Sequence, residues 1–81
     1  MLKITKKTKM KPEDVTKKAV RFFGPIGYGL EITEQTETCA SFEGGGGYIS
    51  ITTCLEGEIT SVDIETREWE YQVKEFIGKL K

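Results

Sequence analysis

The segment ASFEGGGGYISITTCLEGEITSVDI, residues 40–64, carries the clearest structural pattern of this 81-residue chain. Apolar and polar residues alternate in it with a period of two, and glycines interrupt the alternation at Gly44–Gly47 and at Gly57. Such a pattern is typical of antiparallel strands that bury one face and are joined by tight hairpins. It predicts three consecutive strands, and the same alternation at Leu30 and Ile32 predicts a further strand before them.

Three short connections predict how these strands pair. Two-residue turns at Gly46-Gly47 and Glu56-Gly57, and a three-residue loop at 35–37, all have common hairpin lengths. They predict one apolar row across the sheet, made of Leu30, Phe42, Ile51 and Val62, with Tyr28, Ile49 and Ile64 beside it. The opposite face then carries three rows of mostly polar residues: Thr33, Cys39, Cys54 and Ile59; Glu31, Ser41, Thr52 and Ser61; Gly29, Glu43, Ser50 and Asp63.

Helical periodicity flanks the strands on both sides. Pro12 followed by two acidic residues predicts the start of a first helix, and Gly24-Pro25 predicts its end. Its apolar residues are Val15, Ala19, Phe22 and Phe23. A second helix is predicted from Thr66, as its N-cap, to Leu80. The apolar stripe of this helix contains Trp69, Val73, Phe76, Ile77 and Leu80.

Both helices need an apolar surface, and the sheet offers one. We therefore predict one α+β domain over residues 1–81, with a four-stranded antiparallel meander and two helices on one face, in the order α-β-β-β-β-α. Leu2–Thr5 is a candidate for an extra N-terminal strand. With that strand, the element order resembles the TATA-box-binding-protein-like and helix-grip topologies, in which a curved antiparallel sheet grips a C-terminal helix. The resemblance is one of element order, and a fold does not determine a function.

The charges are distributed unevenly although the net charge is only -1. Residues 1–21 carry eight of the 12 basic residues and two acidic ones, whereas residues 22–81 carry 11 acidic residues and four basic ones. Residues 1–11 thus form a basic arm or a short basic strand, with Lys3, Lys6, Lys7, Lys9 and Lys11. Such a segment is suited to nucleic acid or an acidic partner. The alternative is a solvated surface, which we favour because no aromatic residue interrupts the lysines to stack on bases.

Several function classes receive no support from the sequence. The chain has no His, so the commonest general base and metal ligand are absent, and we expect neither catalysis, nor a cofactor, nor a metal. Gly44–Gly47 matches neither the Walker pattern nor the dinucleotide-binding pattern. No signal-peptide pattern and no run of about 18 apolar residues is present, so we expect a cytoplasmic protein without a membrane segment.

Cys39 and Cys54 are the two cysteines, and the predicted register places them directly opposite each other. This arrangement permits a redox pair, or two thiolates of a metal site completed by another copy. The alternative is two reduced thiols with no role beyond the sheet surface.

The predicted architecture leaves the polar face of the sheet uncovered, because both helices pack against the other face. We therefore expect a small non-catalytic binding module that self-associates, or binds an unidentified protein partner, through this face or a sheet edge. The interface candidates are Tyr48, Ser50, Thr52 and Ile59. The alternative for the face is plain solvation.

Overall fold

The computed structural model describes residues 2–80; Met1 and Lys81, at the two ends of the predicted domain, lie outside the described residues. The chain is an α+β domain with the element order β-α-β-β-β-β-α. Its elements are β1 (Leu2–Thr8), α1 (Pro12–Phe23), β2 (Glu31–Gln35), β3 (Cys39–Gly44), β4 (Gly47–Glu56), β5 (Ile59–Arg67) and α2 (Glu70–Gly78). The extra N-terminal strand is thus confirmed, and it is longer than the predicted Leu2–Thr5.

The five strands form one antiparallel sheet in the order β1-β5-β4-β3-β2. Strands β2 to β5 follow one another as a meander, whereas β1 pairs with β5 at the far side. Strand β4 therefore lies in the centre of the sheet, and β1 and β2 form its two edges.

Both helices pack on one face of the sheet, as predicted. The buried core combines residues of α1, α2 and the inward-facing strand positions: Val15, Ala19, Phe23, Leu30, Ala40, Phe42, Ile49, Ile51, Val62, Ile64, Val73, Phe76 and Leu80. At its centre, the Phe23 ring lies 5.7 Å from the Phe42 ring and 5.2 Å from the Phe76 ring, measured between centroids. Aromatic side chains bury large areas, and tilted pairs at these distances add a favourable ring–ring term.

Helix α1 confirms the predicted boundaries. Pro12 stands at its first helical position, where no intrahelical N–H bond is lost, and Glu13 and Asp14 lie at the positive end of the helix dipole. The helix ends at Phe23, and the backbone N–H of Gly24 donates to the carbonyl oxygen of Val20.

The predicted start of the second helix at Thr66 is wrong. Thr66 belongs to β5, where it is fully buried and its hydroxyl donates to the carbonyl oxygen of Tyr48 at 2.8 Å. Pairing with β4 continues as far as Arg67, because β5 has a neighbour on each side and gains ladder hydrogen bonds by extending. Glu68, with a φ of 74°, then ends the strand, and α2 begins at Glu70.

The predicted faces of β3, β4 and β5 are correct, but all three predicted registers are wrong. Tyr28, predicted beside the apolar row, lies in the turn before β2 and is 43% exposed, and the β-bulge after Ile32 turns Glu34 to the polar face, where strict alternation from Ile32 would not place it. The first glycine hairpin pairs Gly44 with Gly47, so Phe42 faces Ile49 and not Ile51. Gly45 and Gly46 are the central turn residues, with φ of 59° and 82°. Both values are positive, as a type I′ hairpin turn requires.

The second hairpin shows the same kind of shift. Glu56 pairs with Ile59, so the turn residues are Gly57 and Glu58 and not Glu56 and Gly57. The glycine stands first in the turn with a φ of 65°, which is the position where a type II′ turn needs positive φ. As a result, Ile51 faces Ile64 and not Val62.

The connection between β2 and β3 also differs from the prediction. Ile32 pairs with Phe42 and not with Ala40, and a β-bulge follows between Ile32 and Glu34. The hydroxyl of Thr36 accepts hydrogen bonds from the backbone N–H groups of Thr38 and Cys39. This local turn fixes where β3 begins.

Replacement of the central aromatic ring should strongly destabilise the fold. We expect Phe23→Ala to lower the free energy of unfolding by about 3–5 kcal/mol, because it leaves a cavity among rings that cannot collapse fully. Urea denaturation followed by circular dichroism measures this. Ile26→Ala, at a side chain 91% exposed, should change the free energy by less than about 0.5 kcal/mol. Similar losses for both variants would contradict the packing described here.

Two buried threonines should respond in opposite directions to the same substitution. Among residues 2–80, the Thr60 hydroxyl is buried with no hydrogen-bond partner, whereas the Thr66 hydroxyl donates to Tyr48. We expect Thr60→Val to raise the free energy of unfolding by about 1 kcal/mol, since it removes an unsatisfied polar group. Thr66→Val should lower it by about 1 kcal/mol, because it removes a hydrogen bond. The same urea titration measures both changes. A change of the same sign in the two variants would contradict the hydrogen bonding described for these hydroxyl groups.

Candidate interaction surface

The face of the sheet opposite the helices, called the open face here, is formed by the outward side chains of all five strands. Its centre carries small uncharged residues of β3, β4 and β5, namely Cys39, Ser41, Ser50, Thr52, Cys54 and Ser61. Charged side chains lie on both sides of this centre, with lysines on β1, Asp63 and Glu65 on β5, and glutamates on β2 and β3. An uncovered face of this composition is suited to contact with another macromolecule as well as to water.

Two rows that cross the whole open face contain its principal charges. One row runs from β1 to β2 through Lys3, Glu65, Ser50, Ser41 and Glu34. The next row runs from β5 to β2 through Arg67, Tyr48, Glu43 and Glu31. In each row the basic side chain lies toward β1 and a glutamate lies toward β2.

A shallow groove of about 360 Å³ lies on the open face, over β1, β5 and β4. Polar side chains line it, namely Lys3, Thr5, Ser50, Thr52, Asp63 and Glu65. The hydroxyl of Thr5 donates to Asp63 at 2.7 Å. The groove is therefore a polar surface depression whose carboxylates already accept hydrogen bonds from the protein.

Glu65 is the centre of the polar network beside this groove. The phenol of Tyr48 donates to its carboxylate at 2.6 Å, and the ammonium group of Lys3 lies 3.4 Å from it. The hydrogen bond from Tyr48 lowers the pKa of Glu65 below its ordinary value, and Lys3 adds to this effect. The same hydrogen bond raises the pKa of Tyr48. The pair therefore holds one phenol proton and one carboxylate charge across the neutral pH range.

The four predicted interface residues all lie on the open face. Ser50 and Thr52 occupy the middle of the central strand, and Tyr48 stands near its beginning. Ile59 lies at the start of β5, opposite Glu56, and is half-buried. Tyr48 is half-buried as well, and its phenol already binds Glu65, so it contributes its ring to the surface more than its hydroxyl.

The predicted direct pairing of Cys39 with Cys54 is wrong. Cys39 lies opposite Thr52, and Cys54 lies opposite Ser61, because the β3–β4 register differs from the prediction by two residues. The two cysteines are therefore diagonal neighbours on adjacent strands, and both are free thiols. Diagonal positions lie about 7–8 Å apart, which exceeds the separation of Cα atoms that a disulfide needs.

The basic N-terminal segment is mostly part of the sheet and not an arm. Lys3 and Lys7 point to the open face, where they form ion pairs with Glu65 and Glu56. Lys6 occupies a position that faces the helix side of the sheet, and it is half-buried. Lys9 and Lys11 lie in the exposed connection to α1. The five lysines therefore do not form one continuous basic surface.

A second exposed group of apolar residues lies on the helix side, and the sequence patterns did not single it out as a surface. Ile26 is 91% exposed, Tyr71 is 73% exposed, and Tyr28 is 43% exposed. The Tyr28 ring packs 6.0 Å from the Trp69 ring, and its hydroxyl donates to Glu75. The glycine- and proline-rich composition of residues 24–29 is the one signal that marks this loop as exposed.

Residues 2–80 contain neither a cluster suited to a metal ion nor a helix suited to a membrane. No three His, Cys, Asp or Glu side chains of this range are grouped so that they could hold a metal ion. No helix in the same range is both long and apolar enough to cross a bilayer. The chain matches no protein-family model, and neither a curated protein nor a solved structure shows significant similarity to it.

The hydrogen bond between Tyr48 and Glu65 predicts a pH effect with a definite sign. A lowered pKa means that the interaction stabilises the fold above pH 4.5, the ordinary pKa of Glu65, and that this contribution is lost as the pH falls through the lowered value. We expect Tyr48→Phe to raise the pKa of Glu65, measured by NMR titration of the side-chain carboxyl group. Tyr71→Phe, on α2, should leave it unchanged. An unaltered pKa in Tyr48→Phe would contradict the assignment.

Proposed function

We propose that this chain is a small non-catalytic module that binds a second copy of itself through the open face. The observation that carries the proposal is the composition of that face. Along β4 its centre carries Ser50 and Thr52, with lysines on β1 at one side and glutamates on β2 and β3 at the other. Asp63 and Glu65 of β5 lie on the lysine side, where Thr5, Tyr48 and Lys3 already bind them. The centres of protein interfaces are depleted of charged residues, whereas their rims are polar and solvent-accessible.

The dimensions of the face support a dimer. Five strands spaced about 4.8 Å apart, with a mean length near seven residues at about 3.3 Å each, cover roughly 600 Å² in projection. The relief of the side chains increases this area toward the roughly 800 Å² per partner that a standard interface buries. Ser and Thr side chains at the centre also allow a second sheet to approach closely.

The sheet edges are less suited to self-association than the face. Strand β1 presents lysines along its length, and β2 is short, carries glutamates and contains a β-bulge. Charged side chains and bulges on edge strands disfavour pairing with the edge of another copy. This favours face-to-face contact over extension of the sheet.

The non-catalytic part of the proposal is supported by the state of the acidic groups on the face. Glu65 has a lowered pKa, and both Glu65 and Asp63 accept hydrogen bonds from hydroxyl groups of the chain. A general base is most effective when its pKa lies near the working pH, and the lowered pKa of Glu65 is displaced away from that range. The chain also lacks His.

Light scattering behind size exclusion tests the proposal through two surface variants. We expect the wild-type protein to have twice the mass of the chain, with or without reductant. Thr52→Lys places a charge at the centre of the open face and should yield a monomer with unchanged circular dichroism. Tyr71→Lys, at the exposed site on α2, should remain a dimer. A monomeric wild type, or a dimer broken by Tyr71→Lys and not by Thr52→Lys, would overturn the proposal.

A further inference from the structure

The charges of the open face are arranged so that they define how two copies face each other. Lys3 is on β1, at one edge of the sheet, and in the same row Glu34 is on β2, at the other edge. In the neighbouring row, Arg67 is on β5 and Glu43 is on β3, one on each side of the central strand β4. In each row, a basic residue on the β1 side of β4 therefore has a glutamate across from it on the β2 side, while Glu65 of β5 lies beside Lys3 on the β1 side.

Two sheets stacked face to face can be related by a twofold axis that lies midway between them. This axis can run parallel to the strands or perpendicular to them. An axis along β4 exchanges the two sides of the sheet and keeps each row in place. It lays β1 over the partner's β2, β5 over the partner's β3, and β4 over the partner's β4. Sheets that pack in this aligned manner keep their strands within about 30° of each other.

Rotation about the axis along β4 brings opposite charges together twice. Lys3 comes to lie over the partner's Glu34, and Arg67 comes to lie over the partner's Glu43. The side chain of Lys3 is 75% exposed despite its contact with Glu65, so it can also reach across the interface. Each of these pairs occurs twice in the dimer, because the contact is symmetric.

An axis across the strands produces the opposite result. It places each strand over the same strand of the partner. The lysines of β1 then face the partner's lysines, and the glutamates of β2 face the partner's glutamates. Like charges placed opposite each other across an interface disfavour that arrangement. The charge pattern therefore distinguishes between the two orientations.

We infer that the dimer axis runs along β4 and places Cys54 beside the partner's Cys54. This inference rests on the proposed self-association through the open face. Stacked sheets lie about 10 Å apart, so two Cys54 side chains that point toward each other leave their sulfur atoms within about 10 Å. Cys39 lies on β3, one strand away from the axis. The rotation places the partner's Cys39 one strand away on the other side, so the two Cys39 residues are offset sideways by about two strand spacings of 4.8 Å.

Cross-linking of single-cysteine variants with a short bismaleimide tests this axis. Cys54 is exposed and Cys39 is partly exposed, so both thiols can react. In Cys39→Ser, which retains Cys54, we expect efficient conversion to a covalent dimer on a denaturing gel. In Cys54→Ser, which retains Cys39, we expect loss of that product. Light scattering on both variants, before the reagent is added, establishes that each is still a dimer.

The outcomes distinguish an error in the inferred axis from an error in the proposed self-association. A dimer that cross-links through Cys39 and not through Cys54, or through neither, would overturn the axis and leave self-association intact. A monomeric wild type would overturn both. As an independent measurement, Arg67→Glu should weaken the dimer at least tenfold in its dissociation constant, and adding Glu43→Arg should restore it. A double variant weaker than Arg67→Glu would contradict the inferred pairing.

Discussion

Phe23 packs between the sheet and the second helix and holds both helices on one face of the sheet. Its ring lies against Phe42 of β3 on one side and Phe76 of α2 on the other. One side chain of α1 thereby joins three elements, and both helices are used on the same face of the sheet. Residues 2–80 contain no further helix that covers the second face. The open face is a consequence of how this small core is built.

The periodicity of the sequence is sufficient to predict the helices, the strands and the inward-facing side of the sheet, but not the register. A shift of two residues keeps every side chain on its predicted face, so hydrophobic pattern cannot distinguish such registers. The turns determine the register, because Gly45, Gly46 and Gly57 adopt the positive φ that the hairpins require. Thr66 illustrates a related ambiguity, because its hydroxyl suits a helix cap as well as a buried strand position that bonds to a backbone carbonyl.

Alternation predicts the residues that β3, β4 and β5 place on the candidate surface, but not their arrangement across strands. It does not predict Glu34, which reaches this face only because of the β-bulge after Ile32. Ser50 and Thr52 share a face because they lie two apart in a strand, whatever the register. The opposite placement of Lys3 and Glu34 depends on β1 pairing with β5, a contact between residues about 60 positions apart that no local pattern encodes. The predicted pairing of Cys39 with Cys54 is wrong for a related reason, because the register between β3 and β4 differs from the prediction by two residues.

An isotope-filtered nuclear Overhauser experiment on a mixture of labelled and unlabelled protein tests whether two copies meet at the open face. It detects contacts between copies and not within one copy. We expect intermolecular contacts from the Thr52 methyl group and the Tyr48 ring of the open face. Contacts from Ile26 and Tyr71 on the helix side, or no intermolecular contacts at all, would contradict this expectation.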